Sequence, residues 1–421
     1  MEETRVLLRN VGVIDPLDID AYVGAGGYSA LKKALSMQPL DIVDVIKASG
    51  LRGRGGAGFP TGQKWEITNK TPADVKYIVC NADEGEPGTG KDRILLSGDP
   101  HAILEGMAIA GKAVGSHKGF VYLRGEYPYI FPILRQAIES AREHGLLGEN
   151  ILGSGFDFEI EVVSGGGAYI CGDETALLNS MEGKRGEPRI KPPFPGVVGL
   201  YGKPTIVNNV ETLANIPVII DHGSAWYRSM GTEKCPGTKL YTVSGNVNRR
   251  GTFEFPMGIN LEALIFDVCG GIRGGKRLLA VQTGGASCPI VRADQIDFNL
   301  DVEQAVAAGG SLGSGAMLVI DDSNDIIDVL TNIAGFFAHE SCGKCTPCRE
   351  GTTRLLELIS KFANNQGTPE DIRTIEDLST TMSLASFCGL GQTASTAITS
   401  ALRNFPEAFV AHSQRREFHY A

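Results

Sequence analysis

The chain has 421 residues, more than a single hydrophobic core usually serves, so two or three domains are expected. Its net charge of −10, with 39 basic and 49 acidic side chains, argues against nucleic-acid binding, which needs a basic face. No apolar run approaches the roughly 20 residues of a membrane helix, and the start of the chain is unlike a secretory signal. We therefore expect a cytoplasmic protein without direct membrane insertion.

In the first half of the chain, predicted strands alternate with predicted helices. The elements are, in order, helices over 29–35 and 39–49, a strand over 77–81, a helix over 101–115, a strand from 118, a helix over 129–148, and a strand, a glycine turn and a helix within 156–183. This alternation indicates an α/β domain with a mainly parallel sheet. We place the domain at residues 1–235.

A smaller domain with short strands is predicted next. Strands at 238–244, 252–257 and 277–283 surround one helix at 260–270. This pattern indicates an α+β domain over residues 236–320.

The C-terminal segment has a helical pattern from Asp325 onward. Apolar residues fall on one helical face at Ile326, Leu330, Ile333 and Phe337. Thr368 is a candidate N-cap, with Pro369 at the first helical position. We predict a helical bundle over residues 321–421.

Four of the nine cysteines form a pattern typical of iron–sulfur ligation. Cys342, Cys345 and Cys348 are spaced C-x2-C-x2-C, and Cys388 lies 40 positions further on. Three thiolates on one tight loop and a distant fourth are able to hold one [4Fe–4S] cluster. Structural zinc is the alternative, but four-cysteine zinc sites usually use two C-x2-C pairs, and the second pair is missing here.

The stretch "GLRGRGGAGFPTGQKW", residues 50–65, is a candidate ligand-binding loop. Residues 53–58 satisfy G-x-G-x-x-G, but a helix rather than a strand precedes them, so an ordinary Rossmann turn is not expected. Bare amides in such loops form anion-binding concavities, and Arg54 and Lys64 are able to pair with phosphate. Phe59 offers a stacking face. A surface glycine loop without a ligand is the alternative.

Further polar residues lie where ligands of α/β folds bind, at the carboxyl ends of strands and in the turns that follow them. They are Asn81, Asp83, Glu84 and Glu86 after the first strand, Asp173 and Glu174 at a helix start after a second glycine turn, and Asn208, Asn209 and Thr212 in "KPTIVNNVET". Adjacent asparagines suit the edge of a flavin ring, although they fit a turn equally well.

A flavin is the simplest cofactor that couples the chemistry of a nucleotide site to that of an iron–sulfur site. An iron–sulfur cluster carries one electron, whereas a nicotinamide delivers a hydride, which is an electron pair. A flavin accepts two electrons and releases them singly. Two glycine loops and one cluster in the same chain therefore indicate a flavoprotein.

Taken together, these segments resemble the NADH- and FMN-binding subunit of respiratory complex I, the proton-pumping NADH:quinone oxidoreductase. The matching stretches are "GLRGRGGAGFPTGQKW", "CNADEGEPGT", "GGGAYICGDETALLNSMEG", "KPPFPGVVGLYGKPTIVNNVET" and "ESCGKCTPCREG", together with Cys388. The resemblance implies a modified Rossmann-like nucleotide-binding domain, a ubiquitin-like domain and a C-terminal four-helix bundle that carries the cluster.

The resemblance also implies roles for individual residues. FMN would be contacted by Gly53, Arg54, Gly55, Lys64, Asn81, Asp83, Tyr169, Gly172, Asn208, Asn209 and Thr212. Gly56, Glu84, Asp173 and Glu174 are further candidates for binding the cofactor or the nucleotide. Phe59 and Phe194 would flank the adenine of NADH with Lys191 near it, and Glu86, the residue assigned to the reaction, would hold the carboxamide.

The implied activity is oxidation of NADH by hydride transfer to FMN, with electrons passing singly to the cluster and on towards quinone. The implied partners are a thioredoxin-like [2Fe–2S] subunit and the rest of the peripheral arm, which places the protein at the cytoplasmic side of the inner membrane. A related alternative is the diaphorase subunit of an NAD-linked hydrogenase or formate dehydrogenase. An iron–sulfur scaffold without turnover is the alternative from a different class.

Overall fold

The computed structural model describes residues 2–414. Its first sheet has four parallel strands in the order β3-β2-β1-β4. The strands are β1 (Tyr77–Ala82), β2 (Lys118–Leu123), β3 (Glu159–Ser164) and β4 (Thr205–Asn209). The predicted parallel sheet is confirmed for the first three strands. The fourth, β4, was not predicted, because its five residues carry two asparagines and are interpreted from sequence as a turn.

Helices cover this sheet and bury its central strands. They are α1 (Ile19–Gly24), α2 (Ser29–Leu35), α3 (Pro39–Ser49), α4 (Thr61–Lys70), α5 (Lys91–Gly98), α6 (Pro100–Val114), α7 (Ile130–Glu143), α8 (Glu174–Met181), α9 (Val210–His222) and α10 (Ser224–Arg228). Helix α6 is buried along its length except at Lys112. It packs closely against α9, because a Cβ at Gly106 would lie only 2.3 Å from the carbonyl oxygen of Leu213.

The second sheet has five strands in the order β6-β5-β9-β7-β8, antiparallel except for the β5–β9 pair. Its strands are β5 (Thr238–Gly245), β6 (Gly251–Pro256), β7 (Leu278–Thr283), β8 (Ile290–Arg292) and β9 (Ala316–Asp321), with helices α11 (Leu261–Ala263) and α12 (Val302–Ala307). The three predicted strands are confirmed as β5, β6 and β7, whereas β8, β9 and α12 were not predicted. The helix predicted at 260–270 is α-helical only in its first turn and continues as a π-helical turn over Leu264–Val268.

Six helices form the C-terminal segment: α13 (Ile326–Glu340), α14 (Thr346–Ala363), α15 (Pro369–Ala385), α16 (Gly389–Thr393), α17 (Thr396–Asn404) and α18 (Pro406–Ala411). The predicted apolar face of α13 is buried, and Thr368 caps α15 by accepting a hydrogen bond from the amide of Asp371. These helices share one hydrophobic core with α8 and with Ile290 and Ile320 of the second sheet. Among residues 2–414, no helix combines the length and hydropathy needed to cross a bilayer.

Candidate functional site

A cleft lies between the carboxyl ends of the parallel strands and the loops of the second sheet. It has two cavities, of about 580 Å³ and about 450 Å³. Six residues line both cavities: Gly55, Ala57, Asn81, Gly172, Asp173 and Asn209. The two cavities therefore meet, and the cleft follows the rule that α/β sheets bind ligands at the carboxyl ends of their strands.

The smaller cavity collects residues that the sequence pattern assigned to nucleotide binding. Its lining includes Gly53, Phe59, Lys64, Glu174, Lys191, Phe194, Asn208 and Thr212. Phe59 and Phe194 are 48% and 57% exposed, so two aromatic faces are open to solvent at its rim. Lys64 donates to Glu174 at 3.0 Å, and Lys191 lies 3.3 Å from Asp173.

The glycine loop reaches the cleft in a conformation that needs its glycines. It follows α3 and precedes α4, so a helix and not a strand comes before it, as predicted. Gly56 has a φ of +126°, which side chains rarely adopt. A Cβ at Gly55 would lie 3.1 Å from the Cβ of Asn209, so the loop backbone lies against the end of β4.

Arg54 differs from its sequence-based expectation, which paired its guanidinium with a phosphate. The side chain is 3% exposed and turns away from both cavities of the cleft. Its Nη2 donates to the hydroxyl of Tyr227 at 3.0 Å and to the carbonyl of Pro236 at 2.8 Å. A buried charge is costly unless it has hydrogen-bond partners, and these two buried oxygens supply partners for the guanidinium. Only the backbone of Arg54 remains near the glycine loop, where its amide donates to Thr212 Oγ1 at 2.9 Å.

Asp83 has the environment of a ligand-binding carboxylate. Within residues 2–414, neither of its carboxylate oxygens has a hydrogen-bond partner, although the residue is only 8% exposed. Burial raises the pKa of Asp83 to about 7. Since buried polar groups are normally hydrogen-bonded, a ligand with several hydroxyl donors fits this wall of the larger cavity. The ribityl chain of FMN carries such donors.

The two glutamates that follow Asp83 have different surroundings. Glu84 accepts hydrogen bonds from the amides of Asp92 and Arg93 at the start of α5, so it holds that helix end. Burial and the charge of Asp92 raise the pKa of Glu84 to about 7. Glu86 faces the larger cavity and accepts from the hydroxyl of Tyr169 at 2.5 Å and from the amide of Ser287 at 2.8 Å.

Ser287 was missed by sequence reasoning. It lies on the loop between β7 and β8, two hundred residues from Glu86, and nothing in the local sequence marks it. Its Oγ also donates to Glu86, at 3.0 Å. A Cβ at Gly285 of the same loop would lie 2.5 Å from Cγ of Glu86. The second sheet therefore holds the carboxylate that the resemblance assigns to the reaction.

Asp173 and Glu174 lie at the start of helix α8, as predicted, and their side chains contact different residues. Asp173 is the N-cap, and its Oδ1 accepts from the amides of Thr175 and Ala176. Burial raises the pKa of Asp173, but the hydrogen bonds from Thr175 and the charge of Lys191 lower it by more. The pKa of Asp173 is therefore below its usual value. Glu174 instead pairs with Lys64.

A buried ionic network, which sequence reasoning also missed, supports Asn209. Lys91 Nζ lies 2.7 Å from Asp92 Oδ1, 3.0 Å from Glu211 Oε2 and 3.1 Å from Asn209 Oδ1. Asn209 Nδ2 donates to Asp92 Oδ2 at 2.7 Å, so both ends of the amide are held. Lys239, on β5, lies 3.6 Å from the same Oε2 of Glu211. We call Arg54, Lys91, Asp92, Glu211 and Lys239 the buried ionic network; each is at most 3% exposed.

The four predicted ligand cysteines come together at the ends of three helices. Cys342 follows α13, Cys345 is the N-cap of α14 with Cys348 in its first turn, and Cys388 is the N-cap of α16. All four line one small gap with Ile170, Pro188 and Leu390. The positive end of the helix dipole of α14 suits thiolates. The main chain amide of Phe387 approaches Cys345 Sγ at 3.5 Å.

The spacing of the four thiols does not support the zinc alternative. Among residues 2–414, no group of three or more histidine, cysteine, aspartate or glutamate side chains converges closely enough for a single ion. In a four-iron cluster each thiolate binds a different iron, so its ligands stand farther apart than those of one zinc. The four cysteines therefore fit a cluster better. The other five cysteines are free and buried.

The cysteine site and the cleft are neighbours. Ile170 and Leu390 line both the larger cavity and the small gap between the four cysteines. Tyr169, beside Ile170, also connects the cleft to the C-terminal helices, because its amide donates to Glu340 Oε2 at 2.9 Å. Ile170 and Leu390, which we call the shared partition, therefore belong to the walls of both sites.

Comparison with known families identifies the parts of this arrangement. Residues 46–218 match the Nuo51 FMN-binding domain, residues 240–291 match the SLBB domain, and residues 328–412 match the NADH-ubiquinone oxidoreductase-F iron-sulfur binding region. The fold and the site thus define a redox protein that binds FMN and a [4Fe–4S] cluster.

Individual relatives resemble the chain over nearly its whole length. The F 2 subunit of the NADH-quinone oxidoreductase of Rhizobium meliloti is 48% identical over 98% of this chain and 98% of its own. The HndC subunit of the NADP-reducing hydrogenase of Solidesulfovibrio fructosivorans is 49% identical over 98% of this chain and 84% of its own. A crystal structure of NAD+-reducing [NiFe]-hydrogenase in the H2-reduced state has a TM-score of 0.85 at 36% identity, over 99% of this chain and 68% of that one. The chain belongs to the family of NADH-quinone oxidoreductase F subunits.

Proposed function

We propose that this chain is the NADH-oxidising subunit of an electron-transfer complex and delivers electrons from NADH towards quinone. The observation that carries the proposal is the shared partition, Ile170 and Leu390, between the larger cavity and the four cysteines. A site for a two-electron donor and a site for a one-electron carrier are thereby in contact through two side chains. When bound, FMN supplies the conversion between hydride transfer and single-electron transfer.

We propose the following residues as the binding set. FMN is held by the backbone of the glycine loop at Gly53, Arg54, Gly55 and Gly56, and by Lys64, Asn81, Asp83, Tyr169, Gly172, Asn208, Asn209 and Thr212. The nucleotide is held by Phe59, Lys191, Phe194 and Glu86, with Asp173 and Glu174 at the helix start. Glu84 also lines the larger cavity, but its carboxylate oxygens accept hydrogen bonds from amides at the start of α5. We therefore propose that it supports the site by holding that helix end.

In this proposal the side chains of the protein position the bound molecules and exclude water. They do not exchange protons with the substrate. Phe59 and Phe194 offer two exposed ring faces to an adenine at the rim. Glu86, fixed by Ser287 and Tyr169, presents a carboxylate oxygen to an amide donor such as a carboxamide. Asp83 accepts from hydroxyl donors, and Ile170 and Leu390 keep water out of the partition.

For the architecture we propose a division into residues 1–235, 236–320 and 321–421, with a ubiquitin-like fold in the second unit and a four-helix bundle in the third. The change from the parallel to the mixed sheet between β4 and β5 supports the first boundary. The end of β9 at Asp321 supports the second boundary. The three long helices α13, α14 and α15 support a bundle.

For partners we propose a thioredoxin-like [2Fe–2S] subunit and the other subunits of a complex I peripheral arm, on the cytoplasmic side of the inner membrane. The names of the relatives support a place in a multi-subunit complex, since several are subunits of NADH-quinone oxidoreductase.

A second candidate is the diaphorase subunit of an NAD-linked hydrogenase. The relative named as a subunit of an NADP-reducing hydrogenase and the structural match to an NAD+-reducing hydrogenase favour it. Purification of the native complex and identification of its subunits separates the two, because the diaphorase would be purified with a hydrogenase catalytic subunit and quinone reduction does not require one.

The experiment that tests the main proposal is an anaerobic absorbance and EPR spectrum before and after NADH. We expect flavin absorbance that bleaches with NADH, one EPR-active four-iron cluster in the reduced protein, and NADH:ferricyanide activity. An iron–sulfur scaffold without turnover would show the cluster but no flavin colour and no activity. Zinc without iron would contradict the assignment of the cysteines.

A further inference from the structure

Lys91 is in an unusual position in the wall of the larger cavity. Among the described residues that line this cavity, it is the only lysine or arginine, whereas the lining carboxyl groups are Asp83, Glu84, Glu86, Asp92 and Asp173. The Lys91 side chain is 1% exposed and is therefore a buried charge. A buried cation is retained only where its surroundings compensate for its desolvation.

Lys91 is compensated by carboxylates, one of which it shares with a second cation. Lys91 contacts Asp92 and Glu211, but Glu211 also lies 3.6 Å from Lys239. With Arg54, the buried ionic network holds three cations and two carboxylates, and a third buried carboxyl group, that of Glu84, also interacts with Lys91. Although burial raises the pKa of Glu211, the charges of Lys239, Lys91 and Arg54 lower it below its usual value. Although burial lowers the pKa of Lys91, the charges of Asp92, Glu211 and Glu84 raise it above its usual value, so Lys91 stays positively charged behind the cavity wall.

The second sheet supplies one of these three cations. Lys239 lies on β5, and its Nζ also donates to the carbonyl of Arg54 in the glycine loop, at 3.4 Å. The amide of Leu240, the next residue of β5, donates to Glu211 Oε1 at 2.9 Å. The strand is thus joined to the parallel-sheet domain close to Asn209, whose side chain lines both cavities.

We propose that Lys91 is a positioning and charge-tuning residue that stabilises reduced FMN over oxidised FMN, and that the charge of Lys239 adds to its effect from farther behind the wall. This inference rests on the proposed function. Hydride transfer turns NADH into NAD+ and places one hydride, with its two electrons, on neutral oxidised flavin, so the flavin system gains one negative charge. A cation buried in the adjacent wall favours the charged product, because Coulomb interactions are strong where water is excluded.

The test is the two-electron midpoint potential of bound FMN, measured by spectroelectrochemical titration of the full-length holoprotein. Lys91→Met is expected to weaken binding of reduced FMN about tenfold relative to oxidised FMN, which corresponds to a potential lower by about 30 mV. Lys239→Met is expected to lower the potential by about half as much, because it is farther from the cavity. Lys203→Met, an exposed lysine paired with Asp74, is the matched control and leaves the potential unchanged.

Substitutions of opposite charge separate electrostatics from general damage to the site. Glu211→Gln and Asp92→Asn each remove a negative charge with little change of shape, and both are expected to raise the potential. A Lys91→Met/Asp92→Asn double variant keeps the net charge and is expected to lie near the wild type; it also serves if Lys91→Met alone does not fold.

The possible outcomes distinguish this inference from the function on which it rests. The inference would be overturned by potentials that shift in the same direction in the lysine and the carboxylate variants, or by a Lys91→Met shift that corresponds to less than a threefold change in relative affinity. A wild-type protein without bound FMN would instead overturn the proposed function.

Discussion

The cleft and the cysteine site lie side by side but are held together in different ways. In the cleft, Asn209 is held at both ends of its amide and Glu86 accepts from Tyr169 and Ser287, whereas among the described residues Asp83 has no side-chain hydrogen-bond partner. At the cysteine site, three of the four thiols lie on one loop and the adjoining end of α14, and Cys345 Sγ has only a 3.5 Å approach from an amide. The flavin site is therefore built by the fold, whereas the cluster site depends on its own ligands.

The largest effect should come from removing one cluster ligand. Cys345→Ser is expected to abolish the EPR signal of the [4Fe–4S] cluster and to leave FMN bound, because no residue of the proposed flavin set lies on the loop at 342–348. The measurement is EPR together with the flavin content of the purified protein. Cys235→Ala, a buried cysteine outside the cluster, is the control. Joint loss of flavin and cluster would show that the two sites are not independent.

A second prediction concerns a substitution that impairs the reaction in the cleft and leaves the cofactor bound. Glu86→Gln replaces a carboxylate that accepts from Tyr169 and Ser287 by an amide that accepts less well. Because hydrogen bonds to charged groups contribute about 1.5–3 kcal/mol, we expect NADH-dependent flavin reduction to slow by roughly 10- to 100-fold. Flavin content should stay unchanged. Rapid mixing with NADH is the measurement, and reduction at the wild-type rate would reject the role of Glu86.

A third prediction uses the unpaired carboxylate of Asp83. Burial raises its pKa from 3.8 to about 7 in the folded chain, so the folded state binds more protons than the unfolded state between those values. Stability therefore falls as the pH rises through this window, by roughly 2–4 kcal/mol for FMN-free protein. The thermal midpoint of FMN-free Asp83→Asn should depend less on pH. Saturating FMN should remove much of the wild-type dependence, since its hydroxyl groups satisfy the carboxylate. An identical pH profile for the two FMN-free proteins would contradict this explanation.

The sequence predicted the cluster site and the parallel sheet more completely than it predicted the cleft. The C-x2-C-x2-C spacing was enough to predict Cys342, Cys345 and Cys348, and the alternation of strand and helix segments was enough to predict three of the four parallel strands. Ser287 and Lys239 were missed because each acts through a contact with a residue far away in the chain, Glu86 and Glu211 respectively. The prediction that the Arg54 guanidinium pairs with a phosphate was wrong for the same reason. Only the folded chain shows that a buried carbonyl, that of Pro236, takes its guanidinium.

The smallest predicted effect concerns the choice between NADH and NADPH at Asp173. In the stretch "CGDET", residues 171–175, the chain has aspartate at the third position. Asp173 caps α8 with Oδ1 and contacts Lys191 with Oδ2, so its charge is held back against the helix end. A glutamate would carry the carboxylate about one methylene farther towards the smaller cavity, where it would repel a 2′-phosphate more strongly.

We therefore expect Asp173→Glu to raise the preference for NADH over NADPH by about threefold, measured as the ratio of kcat/KM values, since Coulomb repulsion changes only modestly over one bond length. The relative named as an NADP-reducing hydrogenase subunit makes reactivity with NADPH worth measuring in the wild type. Lys191→Met is the companion variant: if Lys191 attracts the phosphate, its loss should lower the activity with NADPH more than that with NADH. An unchanged ratio in Asp173→Glu, with a lower thermal midpoint from the weaker helix cap, would leave Asp173 as a capping residue alone.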